Sequence, residues 1–169
     1  HRDRDPDGVV VVPEDRHRMG MITGFSASES ALLGYHTDKN LNLGPWLSKT
    51  KVEDNCKNLM QAFDVRPADP HLKSANFSGG NQQKLILARE IERDPDVLLI
   101  GQPTRGVDIG AIEFIHQRII DMRDAGKAVL LVSVELDEIM SVSDRIIVLC
   151  DGQITGRINA SDADEKTLG

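Results

Sequence analysis

The sequence predicts an α/β fold, a mostly parallel sheet with helices on both faces, interrupted by a helical insertion. Three observations carry this. Val9 to Val12, Val97 to Ile100, Ala128 to Ser133 and Arg145 to Cys150 are short runs dominated by apolar residues, the pattern of buried parallel strands. Segments with helical apolar spacing separate the later runs, which is the alternation of a sheet covered by helices. The stretch from Glu29 to Ser74 lacks that alternation and reads as the insertion.

Each element follows from local signals. Val9 to Val12 is β-branched and is stopped by Pro13, so it forms a strand. Glu14 to Arg18 is wholly charged and reads as a loop. Ser28 is placed to cap a short helix from Glu29 to Tyr35. Thr37 to Lys49, with Asn, Gly, Pro and the lone Trp46, reads as irregular. Val52, Cys56, Leu59, Met60 and Phe63 recur at helical spacing, which puts them on one side of a helix that packs on a neighbour. A further helix begins at Ser78 and continues to Glu92. The strand Val97 to Ile100 follows Asp94-Pro95. Gly110 to Ala125 is a helix with Ile112, Ile115, Ile119 and Met122 on one side, ended by Gly126. Ala128 to Ser133 is a strand, Glu135 to Ser141 a helix and Arg145 to Cys150 a strand. Asp151-Gly152 then turns the chain into Gln153 to Ile158 as a hairpin. Ser161 to Gly169 begins like a capped helix.

Composition narrows the function. The 169 residues fit one domain with a sizeable core. Aromatics are 4%, so that core is built from Ile, Val and Leu. A formal net charge of -7 counts against a nucleic-acid partner, which normally meets a basic face. No apolar run reaches the roughly 20 residues of a membrane span. The charged start, His1 to Asp7, does not read as a signal peptide. Cys56 and Cys150 lie far apart in apolar segments and read as reduced, packed thiols of a reducing compartment. The histidines at 17, 36, 71 and 116 have no ligand spacing, so no metal site is expected from them.

The chemistry concentrates in Phe77-Ser78-Gly79-Gly80-Asn81-Gln82-Gln83-Lys84. Ser78 is a good N-cap, and two glycines leave the first N–H groups of the helix uncovered. Such a helix start suits an anion, though an ordinary capped turn has the same signature. Downstream come an apolar strand and then Gly101-Gln102-Pro103-Thr104-Arg105-Gly106-Val107-Asp108, and later Ser133-Val134-Glu135-Leu136-Asp137-Glu138-Ile139.

With these three segments the chain resembles the ATP-binding cassette (ABC) ATPases of membrane transporters. More narrowly, it is similar from about Gly8 to Ile158 to the second nucleotide-binding domain of double-cassette ATPases serving simple-sugar and nucleoside importers. The resemblance implies a P-loop NTPase-like core with a helical subdomain: 1–27 and 78–169 in the core, 28–77 in the helical part. It makes Ser78, Gly79, Gly80 and Gln82 the signature motif and places Asp108 in the D-loop. In the family, two cassettes face each other head to tail, and the signature of one closes over the γ-phosphate of ATP held by the other.

Other family positions are altered. Gly101 stands where an Asp holds Mg²⁺ through water, and it has no side chain to do so. Gln102 stands where a Glu polarises the attacking water, and Val134 where a His contacts the γ-phosphate. Loss of a positioned base alone slows a reaction roughly 10² to 10⁴-fold. The resemblance therefore implies a half-site that has stopped hydrolysing. By the resemblance, Glu14 in Pro13-Glu14-Asp15-Arg16 lies nearest the family's Q-loop glutamine, with a plain charged surface loop as the alternative. Arg105 reads as a turn residue with a solvated charge rather than a phosphate ligand.

No Gly-x-x-x-x-Gly-Lys-Ser/Thr occurs, and Gly126-Lys127-Ala128 reads as a helix stop. In the family that loop and its strand precede Val9 to Val12. The resemblance thus implies a truncated core without the central strand, which lies between those matching Ala128–Ser133 and Arg145–Cys150. These two strands are then expected to pair directly, or to have the gap filled by a rearranged segment or another chain.

The implied partners are a first nucleotide-binding domain, transmembrane permease subunits reached through coupling helices and, indirectly, a solute-binding protein. The implied place is the cytoplasmic face of the membrane. ATP and Mg²⁺ are the implied ligands of the intact cassette pair, with no tight binding expected of this chain alone. Two other readings are a soluble ABC-type ATPase in DNA or translation processes and a purely structural pseudo-cassette.

Overall fold

The computed structural model describes residues 8–164 and Lys166. His1 to Asp7 and most of the stretch after Asp164, on which the expectations of a charged start and a final helix fall, lie outside the described residues. Strand β1 (Val9–Val12) pairs in parallel with β4 (Val97–Gly101), which pairs in parallel with β5 (Ala128–Val132). The register sets Val12 beside Ile100 and Gly101 beside Val132, so the carboxyl ends of the three strands are level. That alignment positions the site described below.

Around this sheet lie α3 (Gly79–Ile91), α4 (Ile109–Asp124) and α5 (Leu136–Val142). From Gln82 to Glu90 every residue of α3 except Lys84 is buried, because β1, α4 and the helices α1 (Ala27–Leu32) and α2 (Lys49–Ala62) surround it. Ile115, Ile119 and Met122 are buried on α4 as the spacing predicts, while Ala111 replaces Ile112 as the fourth buried residue. The remaining elements are α1 (Ala27–Leu32), β2 (Asn42–Leu43), β3 (Trp46–Leu47) and α2 (Lys49–Ala62). On α2, Val52, Cys56, Leu59 and Met60 are buried and Phe63 follows as the cap, also buried. A buried polar joint fastens this part to α3. The Arg89 and Glu90 side chains, 4% and 0% exposed, pair at 2.8 Å, Tyr35 Oη donates to Glu90 Oε2 at 2.7 Å, and Arg89 Nη1 donates to Ser30 O at 2.8 Å.

Several expectations are corrected. The charged loop after Pro13 is in fact wound into a π turn, Arg16–Gly20, capped by Asp15, whose Oδ1 accepts from the His17 and Arg18 N–H groups. The α1 cap is Ser26, not Ser28. Its hydroxyl accepts from Glu29 N while Glu29 Oε2 accepts from Ser26 N, a reciprocal capping box that Ser28, two residues further in, could not make. The irregular stretch before α2 contains the small antiparallel pair β2–β3. Cys56 is buried, and burial pushes its thiol up to about 12, but Cys150 is exposed rather than packed.

The largest correction concerns the sheet. β6 (Arg145–Cys150) and β7 (Gln153–Asn159) form a separate antiparallel hairpin. Its turn has Asp151 and Gly152 both at positive φ, as such a two-residue connection requires. β6 does not pair with β5, and no rearranged segment fills the space between them among the described residues. The strands are also not covered on both faces. Leu130 and Val132 are 56% and 58% exposed, and Ile147 and Leu149 of β6 are exposed as well. The apolar runs thus mix residues that the described part of the chain buries with residues it leaves exposed. Ala160–Asp162 forms a single 3₁₀ turn where a capped helix start is expected.

Candidate anion-facing turn and the strand ends

Two groups of residues meet at one end of the sheet. The first is the start of α3. Ser78 caps it with Oγ, which accepts from Asn81 N at 3.3 Å and from Asn81 Nδ2 at 2.9 Å. Ser78 itself is exposed. The Gly79 and Gly80 N–H groups have no hydrogen-bond acceptor among the described residues. Glycine is needed at both positions because other chain segments press against them. A Cβ on Gly79 would stand 2.6 Å from Gly106 O and 2.8 Å from an Arg16 guanidinium nitrogen. One on Gly80 would stand 2.6 Å from Asp108 Oδ2. Asp108 is the N-cap of α4, its Oδ1 accepting from Ala111 N at 3.0 Å. Two capped helix starts, those of α3 and α4, are therefore packed together.

The second group occupies the carboxyl ends of the parallel strands, where ligand crevices of open α/β sheets form. Glu14 follows β1, Gly101 and Gln102 close β4, and Val134 follows β5. Gly101 lies against Glu14, its notional Cβ 3.3 Å from Glu14 N. Gln102 has φ of +48° and its N–H donates to Val132 O at 2.8 Å. Val134 is exposed. Glu14 Oε1 accepts from Arg105 Nη1 at 2.8 Å, both side chains lying in solvent, so the Arg105 charge is paired as well as solvated.

Gln82 lies one turn along α3 from the exposed Ser78. It is buried, its Oε1 accepting from Arg16 Nε at 3.3 Å and from His17 Nε2 at 2.9 Å, and its Nε2 donating to Ser74 O at 2.9 Å. A guanidinium can only donate, so the amide oxygen must face Arg16, and His17 Nε2 must then carry a hydrogen. Arg16 also donates from Nη1 to Arg105 O at 2.7 Å and from Nη2 to Gly106 O at 3.4 Å. No reading of the sequence singled out Arg16. Its partners lie 66 to 90 residues away, and no local spacing announces them.

Lys127, the lysine of Gly126-Lys127-Ala128, sits at the amino end of β5, opposite the site. Its ammonium pairs with Asp94 at 2.8 Å and Asp96 at 3.4 Å, partners that raise its affinity for a proton. Among the described residues no group of three His, Cys, Asp or Glu could hold a metal. With Gly101 offering no ligand, the strand ends by themselves do not fit Mg²⁺. The start of α3, with two unpaired N–H groups and a hydroxyl, does fit a phosphate. No helix of the described residues is long and apolar enough to cross a membrane.

No family model matches the chain. Curated relatives do. It is 48% identical over 158 residues to the nucleoside import ATP-binding protein NupA of Lactococcus lactis subsp. cremoris, covering 94% of this chain and 31% of that protein. The guanosine import ATP-binding protein NupO of Bacillus subtilis is 44% identical over 162 residues, covering 96% and 32%. The arabinose import ATP-binding protein AraG of Pseudomonas savastanoi pv. phaseolicola is 37% identical over 167 residues, covering 99% and 33%. The chain thus spans about a third of the length of these relatives. Among solved structures, the dimeric ATP-binding cassette MJ0796 in a post-hydrolysis state with ADP and Pi superposes with a TM-score of 0.73 at 22% identity, covering 91% of this chain and 63% of that one. The chain is homologous over nearly its whole length to about a third of the length of import ATP-binding proteins for nucleosides and sugars, and it has the α/β fold of an ATP-binding cassette.

Proposed function

We propose that the chain belongs to the ATP-binding component of a membrane importer for sugars or nucleosides. In that component it presents the start of α3 to the triphosphate of ATP held by a partner cassette. The observation that carries this reading is the exposed Ser78 hydroxyl beside the unpaired Gly79 and Gly80 N–H groups. Oriented N–H groups at the positive end of a helix stabilise the charge of a terminal phosphate without having to reorganise. Asp108, packed against Gly80, fixes the turn from behind. The partner's ATP supplies the energy-rich phosphoanhydride, and the residues of this chain bind and orient its outer phosphate.

The half-site at this chain's own strand ends is proposed to be silent. Gly101 provides no carboxylate to hold a metal's water shell, Gln102 is a neutral amide far too weakly basic to take a proton from water, and Val134 is apolar. Glu14 engages Arg105 across the mouth of that site. Contact with permease subunits, and through them with the membrane, follows from the same reading.

The test is ATP turnover by the full-length protein assembled with its permease. Ser78→Glu puts a negative charge where the phosphate is proposed to sit and is expected to lower turnover by about 10²-fold or more. Gly101→Ala or Val134→Ala is expected to change it by less than about twofold. Unchanged turnover in Ser78→Glu would leave the chain as a structural partner cassette only.

A further inference from the structure

We propose that Arg16 is a positioning residue for the Ser78 turn, locking it to the Arg105–Asp108 turn and to the segment that follows β1. The proposal rests on the reading of that turn given above and adds to it what holds the turn in place. Three features of this side chain give it that role.

The first is geometric. One guanidinium reaches three places far apart in sequence: the Gln82 amide on the first turn of α3, and the Arg105 and Gly106 carbonyls on the turn that leads to α4. It lies so close to Gly79 that a Cβ there would meet it at 2.8 Å. The α3 start thus has the guanidinium on one side and Gly106 O on another, and its path is fixed by both.

The second is chemical. All three acceptors are neutral, and Arg16 forms no ion pair with a carboxylate among the described residues. A planar fork of five donors can bridge three acceptors, whereas a lysine ammonium at the end of a flexible stem cannot hold the same set. A cation kept beside the positive end of a helix is an arrangement that an arriving anion favours electrostatically.

The third is mechanical. Arg16 and His17 belong to the π turn that follows Glu14, and both meet Gln82 Oε1, while the other end of the Gln82 amide holds Ser74 O. A displacement of the segment after β1 is transmitted through this amide to the turn that precedes Ser78. Gln82 is therefore the hub of the joint rather than a group facing ligand.

The experiment uses the full-length protein assembled with its permease and measures ATP turnover against ATP concentration. Arg16→Gln is expected to lower kcat about tenfold while KM stays within about twofold, since the turn is misplaced but the partner's ATP pocket is untouched. Arg16→Lys is expected to recover little of the loss, and it serves as the test variant should Arg16→Gln not assemble. Adding Gln82→Ala to Arg16→Gln is expected to cost no more than the worse single change, because the two act through one joint. Wild-type kcat in both Arg16 variants, or fully additive losses in the double variant, would overturn the proposal. Ser78→Glu run alongside separates the two ideas. If it abolishes turnover while the Arg16 variants are normal, only the positioning role falls. If it too is silent, the reading of the turn falls with it.

Discussion

A methyl group on Gly80 would meet Asp108 Oδ2 at 2.6 Å and the Ala111 Cβ at 2.9 Å, and one on Gly79 would meet a backbone carbonyl at 2.6 Å. The Ala111 Cβ and the Gly106 carbonyl cannot swing aside, and Asp108 is held by its cap bond to Ala111 N, so the two helix starts must separate. Gly80→Ala is expected to lower stability by about 1–3 kcal/mol, read as a shift of the denaturant midpoint. The two cysteines differ as sharply. Burial pushes the Cys56 thiol up to about 12, whereas Cys150 is exposed on β6. Only the thiolate reacts, so a thiol-alkylating reagent at pH 8 is expected to modify Cys150 and spare Cys56 until the protein unfolds. Mass mapping of the labelled peptides checks this. The neutral Cys56 also sets a sign. Its folded-state pKa lies above the unfolded value of about 8.5, so its contribution to stability is full below that pH and is lost as pH rises toward 12.

Among the elements, α1 is the one whose ends can be dissected. Six residues are too few for helicity by propensity alone, so the capping box and the packing of Ala27 and Ala31 must hold it. Ser26→Ala is expected to cost about 1 kcal/mol. Glu29 accepts from the Ser26 N–H and hydroxyl, which hold its carboxyl below the usual carboxylate range. A lowered folded-state pKa means that the stabilisation is present above the unfolded value of about 4.3 and disappears as pH falls through the folded one. Glu29→Gln is expected to flatten the acid limb of a stability profile below pH of about 5, leaving the alkaline side unchanged. Between α4 and α5, His116 Nε2 lies 3.1 Å from Glu138 Oε1, and Glu138 Oε2 is buried without a partner among the described residues. His116→Ala leaves both oxygens unanswered, and a loss of about 2 kcal/mol is expected in thermal or denaturant unfolding.

At the scale of the whole molecule, no strand pairs with the outer edge of β5 among the described residues, Leu130 and Val132 are exposed, and β6–β7 form a separate sheet. Backbone amides of β5 are expected to exchange with solvent faster than those of β4, which has partners on both sides. Leu130→Lys is expected to reduce self-association of the isolated chain in light scattering while changing stability by less than about 0.5 kcal/mol. The strand runs and helix stripes were legible because period and β-branching are local properties. The start of α3 was legible for the same reason, since Ser78 and two glycines are neighbours in sequence. The burial of Gln82, the bridging by Arg16 and the gap beside β5 were not. Each depends on what another segment brings, or fails to bring, to the same place. The Ser26 cap was missed by two residues because Ser26 and Ser28 look alike until the reciprocal Glu29 contact is weighed.

Gln102 keeps a backbone angle of +48°, which costs a side-chain-bearing residue about 1 kcal/mol, beside a glycine that has no carboxylate to offer. Its N–H bond to Val132 and the buried Pro103 after it keep the chain in that bend. Gln102→Gly would relieve the strain, and a gain of about 1 kcal/mol is expected. The corner at the end of β4 is thereby cast in an awkward shape, its outline set by the Val132 bond and the buried Pro103 rather than by the Gln102 side chain.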